Sequence, residues 1–418
     1  MFAGSTRELV AALQPANRGR RIELAAREYL VDQPLIVPDG TTLAGAGVMQ
    51  FDADGLPAAF EAGTATTLRV AAAFEGPVLS LGNGSRLERL RVLDREAAGA
   101  PERRSNVVSV ASRAPRDAIA AEIVQCELVN PTPVGFSDEG PVGHGIVLLT
   151  MNPHFELAPA AHEGARLGLL VERSIVNSRT GAAVLAANFA AAGHLEARLV
   201  GNRFDGPLVA GGGTSRPELV RDAVTRIESR GNLYRRSGMD RHGWLVLAAS
   251  SSPHFQELPD QGASGNLLRI ESRDDRIEGF VGGLMAAAAR RLGAEGPTLH
   301  GNRLELDLER LRIRTEGAGA ADLELRAAWS EVDQAEGPGE FPAGDHNVLR
   351  VSIRDSIGSG QRRNVYAVVD GPEETVNRGA GNRLEIAGST ENFESSNRGF
   401  DPSPGAEHFT GDLPPARE

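Results

Sequence analysis

Gly201-Asn202-Arg203-Phe204, Gly231-Asn232-Leu233-Tyr234, Gly265-Asn266-Leu267-Leu268, Gly301-Asn302-Arg303-Leu304, His346-Asn347-Val348-Leu349 and Gly381-Asn382-Arg383-Leu384 carry one signal six times over. Each is an Asn, preceded by Gly or once by His, that opens a run of alternating apolar residues. Successive asparagines lie 30, 34, 36, 45 and 35 residues apart. Self-similarity at that period marks a fold in which each repeat is one supersecondary unit and loops absorb the variable remainder. A tight bend between strands needs a residue at positive φ, and Gly and Asn accept it most readily. Stacking then brings equivalent Asn side chains together, where they satisfy one another's amides out of water. A second marker, a Gly leading an apolar strand, accompanies several repeats. It occurs at His144-Gly145-Ile146-Val147, Thr180-Gly181-Ala182-Ala183, Asp205-Gly206-Pro207-Leu208 and His242-Gly243-Trp244-Leu245.

Outward from these markers, Ser5-Thr6-Arg7-Glu8 has the spacing of a capping box and precedes Leu9, Val10 and Leu13 on one helical face, so a short amphipathic helix is expected. Arg21–Leu24, Leu35–Val37 and Thr42–Ala44 read as strands around the turn Pro38-Asp39-Gly40. The long helical periodicity of a doubly wound sheet is missing, and so is the short repeat of a leucine-rich horseshoe. The capping helix, the Gly45-Ala46-Gly47 first coil and the Asn turns resemble the pectate-lyase-like superfamily. That resemblance implies an all-β fold, a right-handed parallel β-helix solenoid of about ten coils, over residues 1–390. The segment 391–418, polar and rich in Gly and Pro, is expected to be a tail or cap.

Composition closes off several chemistries. All 44 basic residues are Arg, so Schiff-base, pyridoxal and Walker-type phosphate sites lack their amine. The net charge of −12 argues against nucleic acid. Cys126 is the one cysteine, which excludes an intramolecular disulfide and a cysteine zinc site; its run Ile123–Leu128 suits a buried, inert thiol. Met1-Phe2-Ala3-Gly4-Ser5 has no signal-peptide pattern and no apolar run reaches membrane-spanning length. No membrane partner is therefore expected, and a cytoplasmic location follows if Met1 is the native start. No cofactor is required. Calcium at Asp138-Glu139 or Asp274-Asp275 is the one ion considered, and adjacent acids are usually a solvated surface.

In the folds this chain resembles, a substrate groove follows one sheet between longer loops. Aligning the Gly-plus-strand markers sets His144, Thr180, Asp205 and His242 in one column, with neighbours about 4.8 Å apart. A carboxylate at Asp205 beside His242 would orient the ring for proton transfer. Arg179 and Arg241 stand one position earlier and suit a substrate carboxylate. Pro153-His154-Phe155 and Pro253-His254-Phe255 repeat on loops leaving the groove strands, which makes His154 and His254 binding candidates. Trp244 is a candidate sugar-stacking ring, and Asp205 with Asp240 are the candidate pair if the reaction is hydrolysis.

Three functions compete on these residues. The first is a carbohydrate-active enzyme, foremost a polysaccharide lyase or uronate epimerase with His242 or His144 as base and Arg241 or Arg179 as carboxylate clamp; lysine, frequent in the lyases it resembles, is absent. The second is a non-catalytic solenoid that binds a glycan or protein. The third is an intracellular biosynthetic enzyme for a small molecule, favoured by the missing signal and disulfides. Oligomeric state is not legible in the sequence.

Overall fold

The computed structural model describes residues 1–388 apart from 72–73, 75, 95–104, 133–134, 138–139, 151–162, 213–219, 237–240, 251–262, 293–298, 317–320, 332–340, 343, 359–364, 371–375 and 378–380. The expected tail, 391–418, lies outside the described residues.

The chain winds through three long parallel sheets in turn, so that each coil contributes one short strand to each. Sheet A has twelve strands, sheets B and C ten each. Strand Val224–Arg230 of sheet A, Leu233–Arg235 of sheet B and His242–Leu247 of sheet C form one coil, and Leu267–Arg273 returns to sheet A beside Val224–Arg230. This is a parallel β-helix, and the crossover rule for parallel strands gives it its right hand. The helix Thr6–Ala12 sits at the first coil, where the Ser5 hydroxyl accepts from the Glu8 N–H and Leu9 and Leu13 are buried.

Two corners hold the register. At the turn from A to B, Arg89, Gln125, Arg173, Gly201, Gly231, Asp274, Arg310 and Asp355 all have φ between 49° and 61°. The next residue in several of these coils is polar and points inward. Cys126 N–H donates to Ser174 Oγ, Ser174 N–H to Asn202 Oδ1, Asn202 N–H to Asn232 Oδ1, and Asn232 N–H to Asp275 Oδ1, at 2.8–3.0 Å. At the turn from C to A a second ladder runs from Ala223 through Asn266, Asn302 and Asn347 to Asn382. The six asparagines therefore form two columns, not one: Asn202 and Asn232 at the first corner, the other four at the second. Both corners demand a left-handed residue followed by an inward amide, so both write the same two letters into the sequence.

Inside the coil, residues in register stack by shape. Leu128, Val176, Phe204, Tyr234, Ile277 and Ile313 form one column of sheet B. Phe204 stacks on Tyr234 at 5.0 Å, and Tyr234 meets Trp244 edge-on at 5.3 Å. The Gly before the sheet C strand makes room for this column: a β-carbon on Gly145 would lie 2.4 Å from Val176 Cγ1, and one on Gly243 2.2 Å from Ile277 Cγ2.

The three outer faces differ. Sheet A carries exposed Arg–Glu pairs across coils, such as Arg198–Glu228 and Arg350–Glu385, each worth little in water. A hairpin from the first coil, Met49–Phe51 with Pro57–Phe60, reaches sheet B: Asp54 pairs with Arg276 at 2.8 Å and Phe51 lies against Arg173. Sheet C presents apolar columns, and the long insertions after Leu149, Gly212, Leu247, Leu292 and Glu331 all leave its strands.

Asp275 is the acid in a ladder of amides. Fully buried, its carboxyl is pushed up to about 6, against the pull of the Asn232 and Ser272 donors. A folded-state value above the free value of 3.8 means that the folded state holds this proton more tightly. Stability is then lost as pH rises from the lower value through the higher. Asp275→Asn keeps the shape and removes the charge. It should raise unfolding free energy near neutral pH by on the order of 1–3 kcal/mol, with the gain vanishing below about pH 4, in denaturant melts across that range.

Candidate functional site

On sheet C, Ser109, Val147, Leu185, Val209, Leu245, Met285 and Glu324 occupy one outer column. Ala111, Leu149, Ala187, Gly211, Leu247, Ala287 and Arg326 occupy the next. Both columns are almost wholly uncharged for six coils and become charged in strand Ala321–Glu331. Glu324 and Arg326 are two residues apart on a strand and so share its outer face. Both are buried, and they pair at 3.1 Å.

His242 completes the group from two coils away. Its strand partner is Gly282, which in turn pairs with Ala321. A β-carbon on Gly282 would lie 2.4 Å from His242 Cδ2, so the missing side chain is what lets the ring lie across the intervening strand. His242 Nε2 then reaches Glu324 Oε1 at 3.4 Å, with both side chains 11% exposed. Trp329 flanks the pair, packed on Leu247, Met285 and Ala287, with the guanidinium groups of Arg290 and Arg326 over its ring at 4.5 and 4.8 Å.

Burial acting alone would raise the Glu324 carboxyl; the hydrogen bond from His242 and the charge of Arg326 outweigh it and bring the group down to about 2. Glu324 is thus a fixed anion at any working pH. Nε2 turned to that anion is the arrangement in which a carboxylate orients an imidazole for acid–base work.

The expected column is corrected by the observed register. Ile146, Val184, Leu208 and Trp244 are level. Gly145 and Gly243 precede that level by one residue, Gly206 by two and Gly181 by three, so the four glycines do not align. Asp205 ends strand Arg203–Asp205 of sheet B, between Arg203 at 3.3 Å and Arg235 at 2.9 Å. The carboxylate on His242 is Glu324, not Asp205.

The other candidates separate similarly. His144 is buried and its Nδ1 accepts the Ala182 N–H at 2.9 Å. Burial lowers the ring to about 4, so it stays neutral and offers the backbone, not a substrate, its basic nitrogen. Trp244 is fully buried in the coil interior, where its ring meets Tyr234 edge-on and cannot reach a sugar. Arg241 is exposed immediately before His242, and its carbonyl accepts the Gly282 N–H. Arg179 is exposed where the chain enters sheet C, two coils earlier. His154, His254, Asp240 and the Asp138-Glu139 pair lie outside the described residues. Asp274 is bound by Arg310 and Asp275 by Asn232 and Ser272. Among the described residues no three His, Cys, Asp or Glu side chains converge as a metal set, and no helix is long and apolar enough to cross a membrane.

Glu324, Arg326 and Trp329 escape a reading of the sequence because Leu323-Glu324-Leu325-Arg326 is an ordinary alternating strand. Only the register reveals that their columns are otherwise uncharged. A groove of about 800 Å³ lies at the opposite end of the solenoid beside the capping helix, lined by Leu13, Gln14, Ile36, Arg18 and Arg113. It holds no acid–base pair.

No protein-family model matches the sequence, and no curated protein does. Among solved structures, the crystal structure of the Dettilon tailspike protein is similar in chain course, at 10% identity over 94% of this chain, with a TM-score of 0.39. The chain spans 64% of the length of that protein. The assignment of the fold rests on the strand register above.

Glu324 has a folded-state value below its free value of 4.5, so its contribution to stability is present above the free value and is lost as pH falls toward about 2. Glu324→Gln should therefore lower unfolding free energy near neutral pH by on the order of 2–4 kcal/mol, part of it from stranding Arg326. Thermal melts should show the gap from the parent protein narrowing steadily below about pH 4.5.

Proposed function

We propose that the outer face of sheet C binds an acidic glycan and that His242, oriented by Glu324, is the general base of a polysaccharide lyase or uronate epimerase. The observation that carries this reading is the Glu324–His242 pair beside the exposed Arg241. Abstraction of the proton next to a uronate carboxylate needs a base and a cation that neutralises the carboxylate as negative charge moves onto it. His242 Nδ1 takes the C5 proton and Arg241 holds the carboxylate. In a lyase the C5 electron pair forms the C4–C5 double bond and expels the glycosidic oxygen, which leaves with a proton from the imidazolium. In an epimerase the carbanion instead takes a proton from water on its other face, and the imidazolium returns its own proton to solvent. One base on one side favours elimination.

A second reading, a solenoid that binds without turnover, is favoured by the outer columns themselves. Val147, Leu149, Leu185 and Leu245 are apolar where a polymer of charged sugars would meet polar side chains.

A panel of polyuronates incubated with the full chain and followed for unsaturated ends, new reducing ends or altered stereochemistry separates the two. The enzyme reading predicts unsaturated product, lost by about 100-fold or more in both His242→Ala and Arg241→Ala, with the exposed Arg241→Ala variant melting at the parent temperature. Undiminished turnover in His242→Ala contradicts it. A complete absence of product with retained glycan binding supports the second reading.

A further inference from the structure

We propose that His300 and His346 form a binding site for one divalent transition-metal ion of the imidazole-preferring group, Ni²⁺, Cu²⁺ or Zn²⁺, with water completing its coordination. The two rings come from adjacent coils at the turn from sheet C to sheet A. Both residues are exposed, and their ring centroids are 5.1 Å apart at an interplanar angle of 61°. Among the described residues neither ring nitrogen is engaged by a hydrogen bond or an ion pair, unlike those of His144 and His242. Two imidazoles in ring contact on neighbouring rungs are within reach of one shared ion, and imidazole suits this group of metals better than it suits Mg²⁺ or Ca²⁺.

His346 itself stands at the left-handed position of the corner. The residue before the ladder asparagine is Gly265, Gly301 and Gly381 in three coils, and His346 in the fourth. His346 takes the same left-handed conformation, with φ 55° against 66°, 64° and 68° for the glycines. A β-branched or bulky residue is rare there, histidine is tolerated, and glycine is cheapest. Its ring lies over Gly381, where a β-carbon would come within 2.7 Å of Cδ2 and 3.0 Å of Nε2. The corner takes a non-glycine residue here as it does at Ala192 and Asp222, and the next coil is bare beneath the ring. The ladder has no use for the imidazole, since Asn347 alone makes its rungs.

Calorimetric titration of the full chain with Ni²⁺, and with Mg²⁺ as the contrasting ion, tests the assignment. His300→Ala and His346→Gly should each weaken Ni²⁺ binding at least tenfold, while His194→Ala, an exposed histidine on sheet A, should leave it unchanged. His346→Gly relieves the backbone, so it should melt at or above the parent temperature without metal and lose the rise in melting temperature that Ni²⁺ gives the parent. Equal Ni²⁺ affinity in the parent, His300→Ala and His346→Gly, or no preference for Ni²⁺ over Mg²⁺ in the parent, overturns the proposal. The experiment does not involve His242, so the glycan reading stands or falls separately.

Discussion

The structure depends on the demand made at two corners of the coil, a left-handed residue followed by one whose side chain turns inward to meet the backbone N–H of the preceding coil. A solenoid bends its backbone away from sheet pairing three times per coil, and a buried N–H left without a partner there costs about 1–3 kcal/mol. The amides of Asn202, Asn232, Asn266, Asn302, Asn347 and Asn382 supply that partner while their own NH₂ groups donate to nearby carbonyls and neighbouring ladder side chains. Register follows from this pairing. Once the corners are fixed, each strand has one possible neighbour and each side chain one possible column.

Everything chemical in the molecule is a consequence of those columns. The stack through Phe204 and Tyr234 fills the interior of its coils. Outside, a charge-paired sheet A, a sheet B reached by the hairpin, and a sheet C with two outer columns uncharged over six coils follow from which residue types recur in register. Glu324 and Arg326 are conspicuous only against the uncharged columns they interrupt, which continue on their far side as Val365 and Ala367. His242 reaches them because Gly282 leaves the intervening rung open. A carboxylate held ionised in a largely buried setting is costly unless it is paired, and here an imidazole and a guanidinium share the pairing.

The architecture was legible in the sequence because it is local: a Gly or Asn at a corner and alternation in a strand are short-range facts, and their period exposes the coil. The capping helix and the inert Cys126, raised to about 12 by burial, were legible for the same reason. The site was legible only in half. His242 stands at a marker, but its partner is 82 residues on and two coils away, and nothing local in Leu323-Glu324-Leu325 announces it. Two corners with identical chemistry also merged into one apparent column, and a slip of one or two residues among the glycine markers moved Asp205 from sheet B into an imagined contact on sheet C. In a solenoid an error of one residue in register replaces every predicted neighbour.

The account stands most directly on the contact between His242 and Glu324 across the Gly282 strand. A double-mutant cycle of His242→Ala and Glu324→Gln, read in unfolding free energy near neutral pH, isolates that contact from the packing around it. The structure predicts a coupling of about 0.5–3 kcal/mol, as for residues within one hydrogen-bonded group. Effects that add to within about 0.3 kcal/mol, as for distant and independent sites, would place the two side chains apart and contradict the register on which the site is built.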